Sequence, residues 1–302
     1  MGFTLGLNTN FAINRIVEPE ALVGTIAQDI GMSRIQLTPE FLDPSWPAPL
    51  QASFVKRYNK ALEENGAKIS TTFSGAYTRV NHLGHPDPEV RAWWKNWLAT
   101  WIDISADLGA QGTGTLLAIM TYADDADPAR REAVLQRVID DWRDLAHRAK
   151  ERGLGFLMWE HMSIRREFGH TLPETRRIQA LVSEDMPLPF KICADIDHGD
   201  VTSQDPRDYD PYAIAEALAA DSPVIHIKQS SMDKGGHRPF TPENNAKGRI
   251  TPEPLLEAIR KGGGTDNELV FEFSFREREP TDSTVIEALR QSADYWRPFV
   301  AV

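Results

Sequence analysis

A chain of 302 residues, 41% hydrophobic and 25% charged, has the composition of a globular protein and ample length for a large core. Its net charge of −11 argues against a partner bound through the nucleic-acid backbone, and its single cysteine, Cys193, rules out an intrachain disulfide framework. Nothing approaches the roughly 18 consecutive apolar residues of a membrane span, and the opening MGFTLGLNTN lacks the basic-then-apolar pattern of a secretory signal, so no membrane partner and a cytoplasmic location are expected.

The expected elements alternate from the start. The β-rich run TLGLNT (4–9) precedes the helical pattern EPEALVGTIAQDIG, with Pro near its start and Gly at its end. RIQLTP (34–39) and SFVKRYNKALEENG follow, then KISTTFSG (68–75) and the long amphipathic PEVRAWWKNWLATWIDISADLG. In that helix Trp93, Trp97 and Trp101 recur at i, i+4, i+8 and are expected on the buried face. Trp94 is offset toward an oligomer surface, and a homo-oligomer, dimer or tetramer, is expected.

GTGTLL (112–117) leads to ARREAVLQRVIDDWRDLAHRAKERG, and FLMWE (156–160) to TLPETRRIQALVSE. The glycines of GAQGTG read as a tight αβ turn, since they lack the G-x-G-x-x-G spacing of a phosphate loop. KICADID (191–197), DPYAIAEALAAD, PVIHIKQ (223–229), TPEPLLEAIRKGG, LVFEFS (269–274) and DSTVIEALRQSADYW complete the series. Eight strands alternating with eight helices imply βα units on a parallel sheet. In 302 residues this fits a closed (β/α)8 TIM barrel, one domain spanning 1–302, better than an open doubly wound sheet. The longest irregular stretches, FLDPSWPAPLQ, FSGAYTRVNHLGHPDP and SSMDKGGHRPFTPENNAKGR, all follow strands, where barrel enzymes carry their active-site loops.

The polar residues at the strand ends carry the chemistry. The fifth strand ends at Glu160, the sixth gives Asp195 with His198 three residues on, the seventh carries His226 and the eighth Glu272. Any one strand-end carboxylate is ordinarily a loop cap or an ion-pair partner, and a lone histidine in an apolar strand a core residue. Four such groups on four consecutive strands form a far more specific pattern. Three carboxylates at one barrel mouth resist joint ionisation unless a cation lies among them. Carboxylates with one imidazole suit Mn²⁺ or Mg²⁺, with Co²⁺ or Zn²⁺ also admissible, and a lone cysteine excludes a structural zinc site built from four thiolates. Glu160, Asp195, His226 and Glu272 are therefore the expected metal ligands. Phe11, Trp46, Phe73 and Trp159 lie near strand ends and are expected in the core rather than as walls of a sugar site.

The order Glu, Asp-x-x-His, His-x-Lys, Glu resembles the xylose isomerase-like superfamily of sugar isomerases and epimerases, which includes the D-tagatose 3-epimerase group and, more distantly, endonuclease IV. NFAINR, MSIRREFGHT and HIKQS resemble most the enzymes of four-carbon sugar catabolism, the tetrulose-phosphate epimerases or racemases, with a related subgroup that decarboxylates 3-oxo-isoapionate. The resemblance implies the same four metal ligands, Glu160 and Glu272 as the acid–base pair, and His198 on a substrate oxygen. The tagatose epimerases carry another glutamate six residues after the first, where this chain has Arg166. A guanidinium there favours a phosphate or carboxylate over a neutral hexulose, unless Arg165 and Arg166 are simply a solvated charge run. Arg166, His237 and Arg238 are expected to hold an anionic tail, and Lys228 to point at substrate or at the ligand carboxylates.

The implied reaction removes the proton beside a ketose carbonyl to give a metal-held enediolate, and returns it on the opposite face. The expected function is a divalent-metal-dependent isomerase or epimerase of a short ketose or ketose phosphate, with a four-carbon tetrulose phosphate favoured. Decarboxylation of a 3-oxo sugar acid would reach the same enediolate. A DNA endonuclease would need further ligating histidines, but His82, His85, His170 and His237 lie in loops without ligand spacing. The expected partner is a small sugar or sugar acid, with no nucleic acid.

Overall fold

A computed structural model describes residues 2–231 and 236–302. Eight parallel strands pair in chain order and close into a barrel: β1 (Thr4–Asn8), β2 (Arg34–Leu37), β3 (Lys68–Phe73), β4 (Gly112–Leu116), β5 (Phe156–Glu160), β6 (Phe190–Asp195), β7 (Val224–Ile227) and β8 (Glu268–Phe271). The ring is sealed by β1 on β8, with Leu5 opposite Leu269 and Leu7 opposite Phe271. Each strand is followed by one of the expected helices: α1 (Pro19–Gly24), α2 (Ala48–Asn65), α3 (Pro88–Asp107), α4 (Pro128–Glu151), α5 (Leu172–Ser183), α6 (Pro211–Leu218), α7 (Pro252–Lys261) and α8 (Val285–Trp296). The expected (β/α)8 barrel is the fold observed.

Strand side chains alternate between the lumen and the helices, and this parity positions the site. Leu157 and Trp159 of β5, Ile225 and Ile227 of β7, and Leu269 and Phe271 of β8 pack in the core shared with the helices. Met158, Cys193, Val224 and Val270 pack together with Phe73 in a second cluster filling the lumen. Below that plug, Arg34 pairs with Glu268, which also accepts from Ser70. Gly114 of β4 leaves room for Met158, against whose side chain a Cβ would collide. Gly109, at φ 73°, is the left-handed residue that turns the chain out of α3, as the tight-turn reading of GAQGTG expects.

Two local expectations are corrected. In α3, Trp97 and Trp101 are buried, but Trp93 is 53% exposed and Trp94 packs against the core. Residues 94, 97 and 101 follow i, i+3, i+7, which keeps them within about 60° on a helix, whereas i, i+4, i+8 drifts by about 80°. Helix α2 begins at Ala48 rather than near Ser53, because Pro47 and Pro49 fall at its cap and first turn, where a missing N–H costs nothing. Phe11, Phe73 and Trp159 are fully buried and Trp46 packs on the core, as expected. No helix among the described residues is long and apolar enough to cross a membrane.

Candidate active site

Each expected ligand sits two residues beyond a lumen residue, so strand parity alone aims it into the barrel: Glu160 after Met158, Asp195 after Cys193, His226 after Val224 and Glu272 after Val270. One ligand atom from each of the four lies within 4.8 Å of the others, and all four residues are buried. His226 Nδ1 is 3.1 Å from Glu160 Oε1 and 3.6 Å from Glu272 Oε1. His198 follows at the mouth: its Nδ1 lies 3.0 Å from the His161 carbonyl, which can only accept, and its Nε2 is 3.3 Å from Asp195 Oδ2. The Lys228 ammonium is fully buried, hydrogen-bonded to Asp195, 2.6 Å from Glu272 Oε2 and 3.1 Å from His237 Nδ1.

Burial alone would raise the carboxyls of Asp195 and Glu272, but their cationic neighbours win. His198 and Lys228 hold Asp195 below the usual range, and Lys228 with His226 holds Glu272 well below it. Burial opposes the charged form of Lys228, yet Asp195 and Glu272 keep it firmly protonated. Burial pushes the Cys193 thiol up to about 12, so it stays a thiol beside His226. Three carboxylates and one ammonium sum to two negative charges; burial opposes a charged ring on His226, yet Glu272 and Glu160 beside it raise its pKa well above the usual range. That donor set and charge fit a divalent cation held by oxygen and one nitrogen.

Above the cluster opens a cavity of about 320 Å³, lined by Glu160, His198, His237 and Glu272 and by Asn10, Arg15, Arg79, Ser274 and Phe275 among others. Neither Arg166 nor Arg238 is among the lining residues. Arg166 donates to the Met120 carbonyl at 3.1 Å and lies 4.5 Å over the Tyr122 ring, and Arg238 pairs its backbone with Gln229. Lys234 and Gly235 of the expected KGGHRPF loop lie outside the described residues. The arginines at the cavity are Arg15, fixed by Asp282 at 2.6 Å and the Phe11 carbonyl at 2.9 Å, and Arg79, forked on buried Glu167 at 2.7 and 3.2 Å. Sequence reasoning assigned neither. Arg15 ends the NFAINR stretch and Arg79 lies in the long loop after β3, which was the available signal.

The loop after β5 is tied down by Glu174 at the start of α5. Its carboxylate accepts from the backbone N–H of His170 at 3.2 Å and pairs with the His170 ring and the Arg131 guanidinium. Burial would raise this carboxyl, but His170 and Arg131 bring it down to about 2 from 4.5. A carboxyl depressed in the folded state stabilises above its unfolded pKa and loses that contribution as pH falls through the folded one. Glu174→Gln should therefore cost up to about 3 kcal/mol at neutral pH. The deficit should shrink between about pH 4.5 and pH 2, as urea unfolding at several pH values would register. A pH-independent deficit would refute the assignment.

A family description, xylose isomerase-like TIM barrel, matches residues 25–298. A D-erythrulose 1-phosphate 3-epimerase of Brucella abortus (strain 2308) is 48% identical over 301 residues, covering 99% of this chain and 97% of that protein. Among solved structures, a Rhodospirillum rubrum protein provisionally named a xylose isomerase is 27% identical, with TM-score 0.86 and full coverage of both chains. A D-psicose 3-epimerase of Clostridium cellulolyticum H10, solved with D-tagatose, shares the fold at TM-score 0.72 and 14% identity, over 99% of this chain and 100% of that one.

Proposed function

The chain belongs to the xylose isomerase-like TIM barrel family, and from that premise we propose that it is a 3-epimerase of a four-carbon ketose phosphate, of the D-erythrulose 1-phosphate kind. The observation that carries this reading is the pairing of two lumen glutamates, Glu160 and Glu272, beside one cavity, in a chain 48% identical to such an epimerase along nearly its whole length. A divalent ion, with Mn²⁺ or Mg²⁺ suiting the donors best, would be held by Glu160, Asp195, His226 and Glu272 and would polarise the substrate carbonyl, acidifying the neighbouring C–H. One glutamate takes the C3 proton to give an enediolate, and the other delivers a proton to the opposite face. Lys228 and His237 anchor Glu272 through Oε2, which leaves Oε1 toward the reacting centre. His198, fixed through Nδ1, offers Nε2 to a substrate oxygen. The same reading makes the protein a cytoplasmic homo-oligomer, with Cys193 buried as a free thiol.

The phosphate falls to Arg15 and Arg79 rather than to Arg166 and Arg238, because only the former pair lines the cavity. Arg15→Lys or Arg79→Lys should raise KM for the tetrulose phosphate about 10-fold or more, since a charged hydrogen bond contributes about 1.5–3 kcal/mol. KM for unphosphorylated erythrulose should hardly move, and Arg166→Lys and Arg238→Lys should leave both unchanged. Equal effects on charged and neutral ketose would remove the anion assignment. For the reaction itself, incubation of D-erythrulose 1-phosphate in D₂O should give the C3 epimer carrying one solvent deuterium at C3. Release of CO₂ from a 3-oxo sugar acid, with no exchange on the ketose phosphate, would replace the epimerase by a decarboxylase.

A further inference from the structure

His226 has two ring nitrogens, and only an unprotonated one can hold a metal. A chain of hydrogen bonds of fixed polarity reaches the ring from the first two strands. It begins at the backbone N–H of Asn10, which can only donate and lies 2.9 Å from Asn8 Oδ1. That contact turns the oxygen of the Asn8 amide toward Asn10 and its Nδ2 toward β2. Asn8 Nδ2 is 2.7 Å from Gln36 in a fully buried contact, and an amide nitrogen only donates, so the facing atom of Gln36 is Oε1. Gln36 Nε2 then points the other way, 3.2 Å from Thr71 Oγ1. The same Gln36 Oε1 is 2.8 Å from His226 Nε2, and an oxygen that can only accept requires a hydrogen there. Phe73, edge-on to the imidazole at 5.0 Å and 85°, fixes the plane of the ring.

We propose that Gln36, set by Asn8 and ultimately by the Asn10 N–H, is a positioning residue that keeps a hydrogen on His226 Nε2, so that a divalent cation entering between Glu160 and Glu272 meets Nδ1 and displaces the hydrogen bond that Nδ1 makes with Glu160 Oε1 at 3.1 Å. The inference rests on the metal-site reading above. It adds that the ring nitrogen left to the ion is dictated from β1 and β2, on the side of the barrel that contributes none of the four ligands. Three amide and ring contacts transmit the direction of one backbone N–H across the lumen. Outer groups of this kind typically change metal affinity by about 10–100-fold.

The test uses the full chain labelled with ¹⁵N-histidine and loaded with Mg²⁺ or Zn²⁺. Long-range ¹H–¹⁵N correlation should show His226, identified by its absence in His226→Gln, protonated at Nε2 and bare at Nδ1. By chelator competition, Gln36→Met, of similar shape but without the acceptor, should bind the ion about 10–100-fold more weakly. Gln36→Glu keeps an acceptor for both Asn8 and His226 and should restore affinity to near the wild-type value. If the wild type takes up no divalent ion, both the metal reading and this proposal fall. Uptake with His226 protonated at Nδ1, or undiminished affinity in a folded Gln36→Met, would overturn the relay alone. Should Gln36→Met fail to fold, the wild-type ring pattern decides.

Discussion

Glu160→Gln and Glu272→Gln are each expected to lower turnover by about 10²–10⁴-fold, the usual contribution of a positioned proton-transfer group. Both side chains leave the lumen plug at the same parity, both are buried, and both line the cavity above the cluster. A Gln amide keeps the volume and an oxygen but cannot take a proton. The two variants should also differ in a way that identifies the faces. An epimerase that has lost one of its two bases still exchanges the substrate proton from the side of the surviving carboxylate. Deuterium washed into one epimer by Glu160→Gln, and into the other by Glu272→Gln, would match the assignment. Both variants retaining more than a tenth of wild-type turnover would end it.

Asp195→Asn should empty the proposed metal site and weaken the fold together. Asp195 and Lys228 are both fully buried and hydrogen-bonded to each other, and Lys228 keeps only Glu272 as a carboxylate partner once Asp195 is neutral. Removing one member of a buried ion pair costs about 3–5 kcal/mol, because the remaining charge stays desolvated. The lower end is expected here, since Glu272 still pairs. In the wild type, an added divalent ion at about 100 times its Kd should raise unfolding free energy by about 2.7 kcal/mol. Asp195→Asn should lose that response. Elemental analysis and urea unfolding with and without Mn²⁺ measure both, and a variant with full metal content would refute the ligand assignment.

Much of this architecture was legible because its signals are local. A strand such as FLMWE shows its apolar run and its terminal carboxylate within five residues, and the parity that aims Glu160 inward follows from the period of two. The barrel then brings β5 to β8 side by side, so consecutive strand ends are neighbours in space. What stayed hidden depends on contacts across the ring. Gln36 reaches His226 over 190 residues of sequence, and Arg79 reaches Glu167 over 88. A buried glutamine in RIQLTP carries no mark of its partner. Arg166 was conspicuous beside Glu160 in sequence, but the 3-10 turn at Arg165–Glu167 sends its guanidinium to Met120 and Tyr122, away from the cavity. The α3 tryptophans failed differently: two helical spacings fit the same residues, and only packing chooses between them.

The seal between β1 and β8 bears on how this protein fails as well as on how it works. A sheet whose every strand is paired on both sides offers no open backbone ladder onto which another chain can add. Among the described residues, copies of the folded chain can therefore meet only through helices and loops. Strand-to-strand aggregation, including that of a destabilised variant such as Asp195→Asn, has to wait until the ring itself parts, so precipitation on heating should follow the rate of global opening rather than the exposure of any one segment.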